Sequence, residues 1–299
     1  MIKLYPPPVT TKYYRHRRSK QLTRPKELDL SSPQQIKAEA RRTISAGLPS
    51  RIWQVLDLLA SGGVLSGSHL TIPENTLKWW VQRRIFEKVD FDPAELNQLK
   101  TMLGLAIHPS LYALGSVGVE IAALRHEVQP PSGYQGYTLM RVMHDVVVNE
   151  IVLRLAERLA AGGWSVEWLG KYEGTLTDKN GKSILEPDAV IRFYKDDQEK
   201  AFVLEYHNED RRARAAMKVE KYEAAFNDGN WRQQWEVETF PPVLVVFWQP
   251  IVGTGYQQAV GTRKLNCTYY GKTLKAVLEG KLDEWQSIHR DKKETLISK

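Results

Sequence analysis

Two acidic residues, Asp188 and Glu205, sit at the ends of neighbouring apolar runs in EPDAVIRFYKDDQEKAFVLEYHNE, residues 186 to 209. An ionised carboxylate inside a sheet costs several kcal/mol unless a partner compensates it, so acids in such runs ask for a reason. Alternation puts Asp188, Val190 and Arg192 on one face of the first run and Val203, Glu205 and His207 on one face of the second. KDDQEK between them reads as a hairpin loop. An antiparallel register pairing position 188 with 205 or 207 brings the carboxylates together with His207 beside them. Converging carboxylates repel unless a cation joins them, and magnesium, which takes oxygen ligands and keeps several waters, suits the role. The competing account is structural: Asp188 capped by local hydrogen bonds at a strand start, and Glu205 in an ion pair with Arg192 on the neighbouring strand.

The elements around this hairpin must position it. LMRVMHDVVVNEIVLRLAERLAAGG, before it, predicts a long amphipathic helix with Val147, Val148, Ile151 and Leu155 on its buried stripe and His144 one turn earlier on the same face. That phase reads His144 as a histidine satisfied in the core. Glu150 and Glu157, seven apart, share a face beside the stripe, where surface charge is the ordinary explanation. EDRRARAAMKVEKYEAAF, after the hairpin, predicts a helix with Ala215, Val219, Tyr222 and Phe226 inward and Arg214, Lys218 and Lys221 on an adjacent face. PPVLVVFWQ is a continuous apolar strand, as in a sheet covered on both faces, and TLKAVLEGKLDEW reads as a closing helix.

The N-terminal half has a different composition. QQIKAEARRTISA (34–46), LPSRIWQVLDLLASGG (48–63), ENTLKWWVQRRIFEK (74–88) and PAELNQLKTML (93–103) predict helices, the last opened by Asp92 as N-cap and Pro93 at the first helical position. LAIHPSLYALGSVGVEIAAL follows as two short strands with a turn, then a small helix. Helices followed by a hairpin are the winged-helix order, which suits DNA because a helix fits the major groove while the wing touches backbone. Lys78, Arg83 and Arg84 are the phosphate-reaching candidates there, although a solvated helical face accounts for them equally well. Trp79 and Trp80 are expected to divide between surface and core. QPPSGYQGY (129–137) reads as a linker.

The order helix, hairpin, helix, buried strand, helix resembles the core of the restriction-endonuclease-like PD-(D/E)xK superfamily. Within it, the chain looks like the replication-relaxation family of mobile-element and plasmid proteins. The resemblance covers roughly residues 45 to 250 and is carried by LYALGSVGVEIAAL, MHDVVVNE, EPDAVIRF and FVLEYHNE followed by a helix with MKVEKY. It implies an α/β chain: a winged helix-turn-helix domain (34–128), then a restriction-endonuclease-like α/β domain with a mixed central sheet (138–299). It further implies that Asp188 and Glu205 bind the metal, Mg2+ or Mn2+, with Glu150 or Glu157 as an optional third acid. The sequence departs from the pattern at His207, which stands where the superfamily has lysine. His207 could orient water or act as a base, or Lys218 or Lys221 could supply the cation from the next helix.

Charge placement bears on the partner. The chain carries a formal +7, yet residues 1 to 26 hold eight basic residues and no acid, leaving 34 basic against 35 acidic residues elsewhere. This proline-containing stretch, part of a tail expected to be flexible over residues 1–33, places Arg15, Arg17 and Arg18 among aromatics in YYRHRR, a composition suited to a phosphate backbone or to a solvated arm. It has too little apolar surface to belong to a core. No run approaches the ~18 apolar residues of a membrane span, which predicts a soluble, cytoplasmic protein. The single cysteine, Cys267, excludes an intramolecular disulfide framework and reads as a small buried hydrophobe. Two functions of different class are compatible with these observations. One is a metal-dependent DNA endonuclease or nickase. The other is a non-catalytic DNA-binding regulator of replication, transfer or transcription, whose nuclease-like domain serves dimerisation, as in a homodimer, or partner contact.

Overall fold

A computed structural model describes residues 2–4, 28–70, 72–104, 110–127, 129–208, 212–261, 263–290 and 292–297. The protein is α/β with a mixed central sheet, and it divides into two compact units, one of Pro7–Val146 and one of Met1–Pro6 with Val147–Lys299. Among the described residues, no helix is long and apolar enough to cross a membrane.

Ile2–Leu4 form a first strand, β1, which pairs antiparallel with residues 166–168 in the second unit. That corrects the expectation of a free tail throughout residues 1–33: its first residues complete a sheet edge. Arg15, Arg17 and Arg18 lie outside the described residues.

The Pro7–Val146 unit opens with α1 (Pro33–Ala46), capped by Ser32 and Gln35 in a reciprocal capping box, and α2 (Ser50–Gly62). Then follow β2 (Val64–Ser66), α3 (Glu74–Gln82), β3 (Phe86–Val89), α4 (Pro93–Leu103), β4 (Leu111–Leu114) and α5 (Ser116–His126). The strands form an antiparallel sheet in the order β2-β4-β3. Asp92 caps α4 as expected, its Oδ1 accepting from the amides of Ala94 and Glu95. The helix expected over 74–88 stops at Gln82, because Arg84 takes a left-handed φ of 55° and the chain leaves as β3. Of the two strands expected in LAIHPSLYALGSVGVEIAAL, one is described, β4, and it pairs with β2 and β3 earlier in the chain; residues 105–109 lie outside the described residues. Trp80 is buried and Trp79 half-buried, edge to face with centroids 4.4 Å apart. The expected linker packs: Tyr134 is buried, and its ring lies where a side chain on Gly63 would stand. Gly63, at φ 72°, is a position that admits no other residue without movement.

α6 (Leu139–Ala161) carries the boundary between the units, and its stripe of Val147, Val148, Ile151 and Leu155 is buried. His144 is half-buried with Nδ1 3.5 Å from Asp145, rather than inward in the core. The second unit continues with β5 (Ser165–Gly170), the short α7 (Lys171–Gly174), a small hairpin of β6 (Leu176–Thr177) and β7 (Ser183–Leu185), then β8 (Ala189–Lys195) and β9 (Gln198–His207). The β8–β9 loop is only Asp196-Asp197, so the strands run into the expected KDDQEK loop. α8 (Arg212–Asp228), the short α9 (Trp231–Gln234), β10 (Val243–Phe247), α10 (Gly253–Gly261) and β11 (Tyr269–Thr273) follow. The expected closing helix is reduced to α11 (Leu274–Leu278); β12 (Glu284–Ser287) and β13 (Lys293–Thr295) end the sheet.

That sheet has eight strands in the order β1-β5-β8-β9-β10-β11-β12-β13. β10 runs parallel to both β9 and β11, and the other pairs are antiparallel. β10 is buried along its whole length, as a strand central to such a sheet must be. One core joins Val190, Val203 and Val245 from the strands to Val219 and Tyr222 of α8 and to Tyr256 of α10, so α8 and α10 cover the sheet face that bears Glu205. Cys267 is free and buried beside that core.

Candidate functional site

The β8–β9 register fixes the two acids. Ala189 pairs with Leu204, and one step further sets Asp188 across from Glu205. Two bonds lock this end, one backbone to backbone and one to the carboxylate: the Asp188 amide donates to the Leu204 carbonyl at 3.1 Å, and the Tyr206 amide donates to Asp188 Oδ2 at 2.8 Å. Part of the local-cap account of Asp188 is therefore real. The other part is not: Arg192, opposite Ala201, bonds Glu236 at 2.8 Å and approaches Glu199 and Glu167 at 3.5 and 3.9 Å, so it is not the partner of Glu205.

Glu205 is 1% exposed, and its partners come from α8. Lys218 Nζ donates to Oε1 at 2.8 Å and also to the Glu186 carbonyl at 3.0 Å; the Tyr222 hydroxyl donates to the same Oε1 at 2.7 Å. Helical phase selects among the basic residues of α8. Lys218 lies one position before the buried Val219 and four before Tyr222, whereas Lys221 is exposed. His207, two residues along β9, is also buried; its Nε2 is 2.8 Å from the Tyr256 hydroxyl and 3.8 Å from Glu205 Oε2. Nothing in the sequence marks Tyr222 and Tyr256 as site residues. Each resembles ordinary core aromatic, and only their hydroxyl bonds assign them to the site.

Burial pushes the Glu205 carboxyl above the usual carboxylate range; Lys218 opposes this, and the nearby Asp188 charge adds to it. Burial would lower the Lys218 ammonium, but the Glu205 and Asp188 carboxylates outweigh it and hold the group above its ordinary value. Tyr222 is raised well above its usual value by burial and by Glu205, which keeps it a hydrogen-bond donor.

The remaining candidates are elsewhere. Glu150 bonds Arg154 at 2.6 Å along α6, and Glu157 is exposed. Among the described residues, no three His, Cys, Asp or Glu side chains are grouped to hold a metal, so neither completes a three-acid set with Asp188 and Glu205. Two facing carboxylates nevertheless form a hard oxygen pair, and a carboxylate has about four lone-pair sites, more than Lys218 and Tyr222 use on Glu205. The donor chemistry fits magnesium or manganese at two residues. In the other unit, Lys78 is exposed with Glu74 3.2 Å away, and Arg84 is exposed and donates to the Leu30 carbonyl at 3.1 Å. Arg83 is fully buried in an ion pair with Glu39, which removes it from the phosphate-reaching set.

No family model, curated protein or solved structure matches the chain.

Proposed function

We propose that this is a DNA-binding protein of the plasmid or mobile-element type whose sheet unit carries a metal-dependent phosphodiesterase centre of PD-(D/E)xK kind. The observation that carries the reading is one carboxylate, Glu205, facing Asp188 across a strand pair while Lys218 of the following helix bonds it. Lys218 takes the part of the lysine absent from position 207. Asp188 and Glu205 would hold Mg2+ or Mn2+, which when bound polarises a scissile phosphate and lowers the pKa of an attacking water. Lys218 keeps its proton beside the acids and so offers positive charge where a phosphoryl oxygen gains negative charge. Tyr222 fixes the Glu205 carboxylate, and Tyr256 orients His207.

The sheet order β2-β4-β3, with α3 between β2 and β3, supports a winged helix in the other unit, with α4 lying in the wing connection. Lys78 and Arg84 there, with Arg15, Arg17 and Arg18, are the basic residues assigned to phosphate binding. One observation favours the non-catalytic alternative: Lys218 and Tyr222 already answer the Glu205 charge without a metal.

Supercoiled plasmid incubated with magnesium or manganese separates the two. Nicking or linearisation by the wild type, lost in Asp188→Ala and Lys218→Met, supports the enzyme. DNA binding without cleavage in either metal supports the scaffold. Deleting residues 7 to 26 should flatten the slope of log affinity against log salt by about 0.9 for each phosphate that the arm neutralises. An unchanged slope removes the arm from the interface.

A further inference from the structure

The far end of the sheet holds a second charged site. β11 and β12 pair only through Tyr270–Ser287 and Gly271–Gln286, and beside the last pair lies a cleft of about 470 Å3. Lys272, Lys281 and Lys293 line it, with Asp283, Glu284 and Gln286. In the aligned ladders Gly271 stands level with Val245 and Glu205, so Lys272, one residue on, belongs to the opposite face of the sheet from the Asp188–Glu205 pair.

We propose that this cleft binds a phosphate group through Lys272 and Lys293. The Lys272 ammonium lies 4.9 Å from the centre of the buried Trp285 ring and donates to the Lys281 carbonyl, so it is held in place, half-buried. Of the two acids in the lining, Asp283 is taken by Arg158 of α6 through both oxygens, at 2.7 and 3.0 Å. The Lys281 ammonium is 2.7 Å from Glu279, leaving Lys272 and Lys293 against Glu284. Burial is the main cause that lowers Lys272 to about 8; Asp283 and Glu284 oppose it, and Lys293 and Lys281 add to it. An oxyanion in the cleft adds negative charge beside Lys272 and Lys293. Two separate point charges, Lys272 and Lys293, suit the several oxygens of phosphate, and the planar fork that would favour a carboxylate is absent from the lining. The site does not depend on the function proposed for Asp188 and Glu205.

The test uses the full chain with two probes, inorganic phosphate and a short oligothymidylate, each compared with chloride at matched ionic strength. Melting temperature should rise with at least one probe near pH 7. Binding should weaken about tenfold in Lys272→Met and in Lys293→Met, the loss expected of one charge-assisted hydrogen bond. Lys275→Met, which removes an exposed charge outside the cleft, should bind as the wild type does. Lys293 is exposed, so its variant gives a readout even if Lys272→Met folds poorly. Affinity should also decline as pH rises above about 8, where Lys272 loses its proton. A response to the oligonucleotide alone assigns the site to a nucleic-acid backbone, and a response to inorganic phosphate assigns it to a free phosphate. No shift beyond that of chloride with either probe, or an equal loss in Lys275→Met, overturns the proposal.

Discussion

Replacing Lys218 with Met leaves a near-isosteric side chain but strips Glu205 of its cation. The carboxylate is 1% exposed, Lys218 Nζ is 2.8 Å from it, and the Tyr222 hydroxyl would go on donating to it. Breaking a buried pair from one side costs about 3–5 kcal/mol, because the surviving charge stays desolvated. For a unit of about 160 residues, where each kcal/mol moves the melting temperature by about 2–4 °C, this is a fall of roughly 6–20 °C. Adding Glu205→Gln removes the stranded charge while keeping an acceptor for Tyr222, so the double variant should recover most of the loss, with a coupling energy of at least about 2 kcal/mol. Calorimetry of wild type, both single variants and the double variant gives the cycle. If Lys218→Met melts within about 3 °C of wild type, or the double variant is no better than the single, the ion pair does not hold this site together. The comparison should be made in EDTA, so that metal binding does not add stability by mass action.

Other parts of the fold yield further expectations. Arg83→Met should destabilise the Pro7–Val146 unit by about 1–3 kcal/mol, since the buried Glu39 keeps Arg42 as its remaining cation, whereas Lys78→Met should change stability by less than about 0.5 kcal/mol; urea denaturation reads both. Gly63→Ala places a methyl against the Tyr134 ring at a left-handed φ and should cost more than about 1–3 kcal/mol, part of which Tyr134→Phe should recover because the nearest atom is the hydroxyl. Lys272 has a folded-state pKa below its unfolded value, so its contribution is present above about 10.5 and is lost as pH falls towards 8. Wild type should therefore lose stability relative to Lys272→Met as pH is lowered from 10.5 to 8, a trend that a pH series of melting curves detects.

The hairpin that carries the acids was legible because two strands with strict alternation and a charged turn leave few registers, and the register fixes which side chains meet. The cation that meets Glu205 was only half legible: Lys218 and Lys221 are both basic residues of one helix, and the choice between them depends on how α8 is rotated against the sheet. Tyr256 is 49 positions from His207, and no local spacing links them. In the other unit, WWVQRRIFEK keeps a helical period through Phe86, and what ends the helix is a left-handed arginine, Arg84, where a glycine would have been a readable stop. TLKAVLEGKLDEW misled in the opposite way. Its period is helical, but the left-handed Gly280 follows one short helix and Trp285 belongs to a strand.

The pairing of β1 with β5 joins Leu4 to Val166, 162 positions apart, with the other unit between them in the sequence. A ladder of three residues that closes so long a loop gains little and forms late, since loop entropy must be overcome before its few hydrogen bonds form. Until then the outer edge of β5, with Val166 and Trp168 in it, is an open strand edge of the kind that recruits a second chain. Ile2–Leu4 thus act as a removable guard on the sheet. A truncation that trims them should leave the core standing, and its first symptom should be self-association at high concentration, well before any loss of fold.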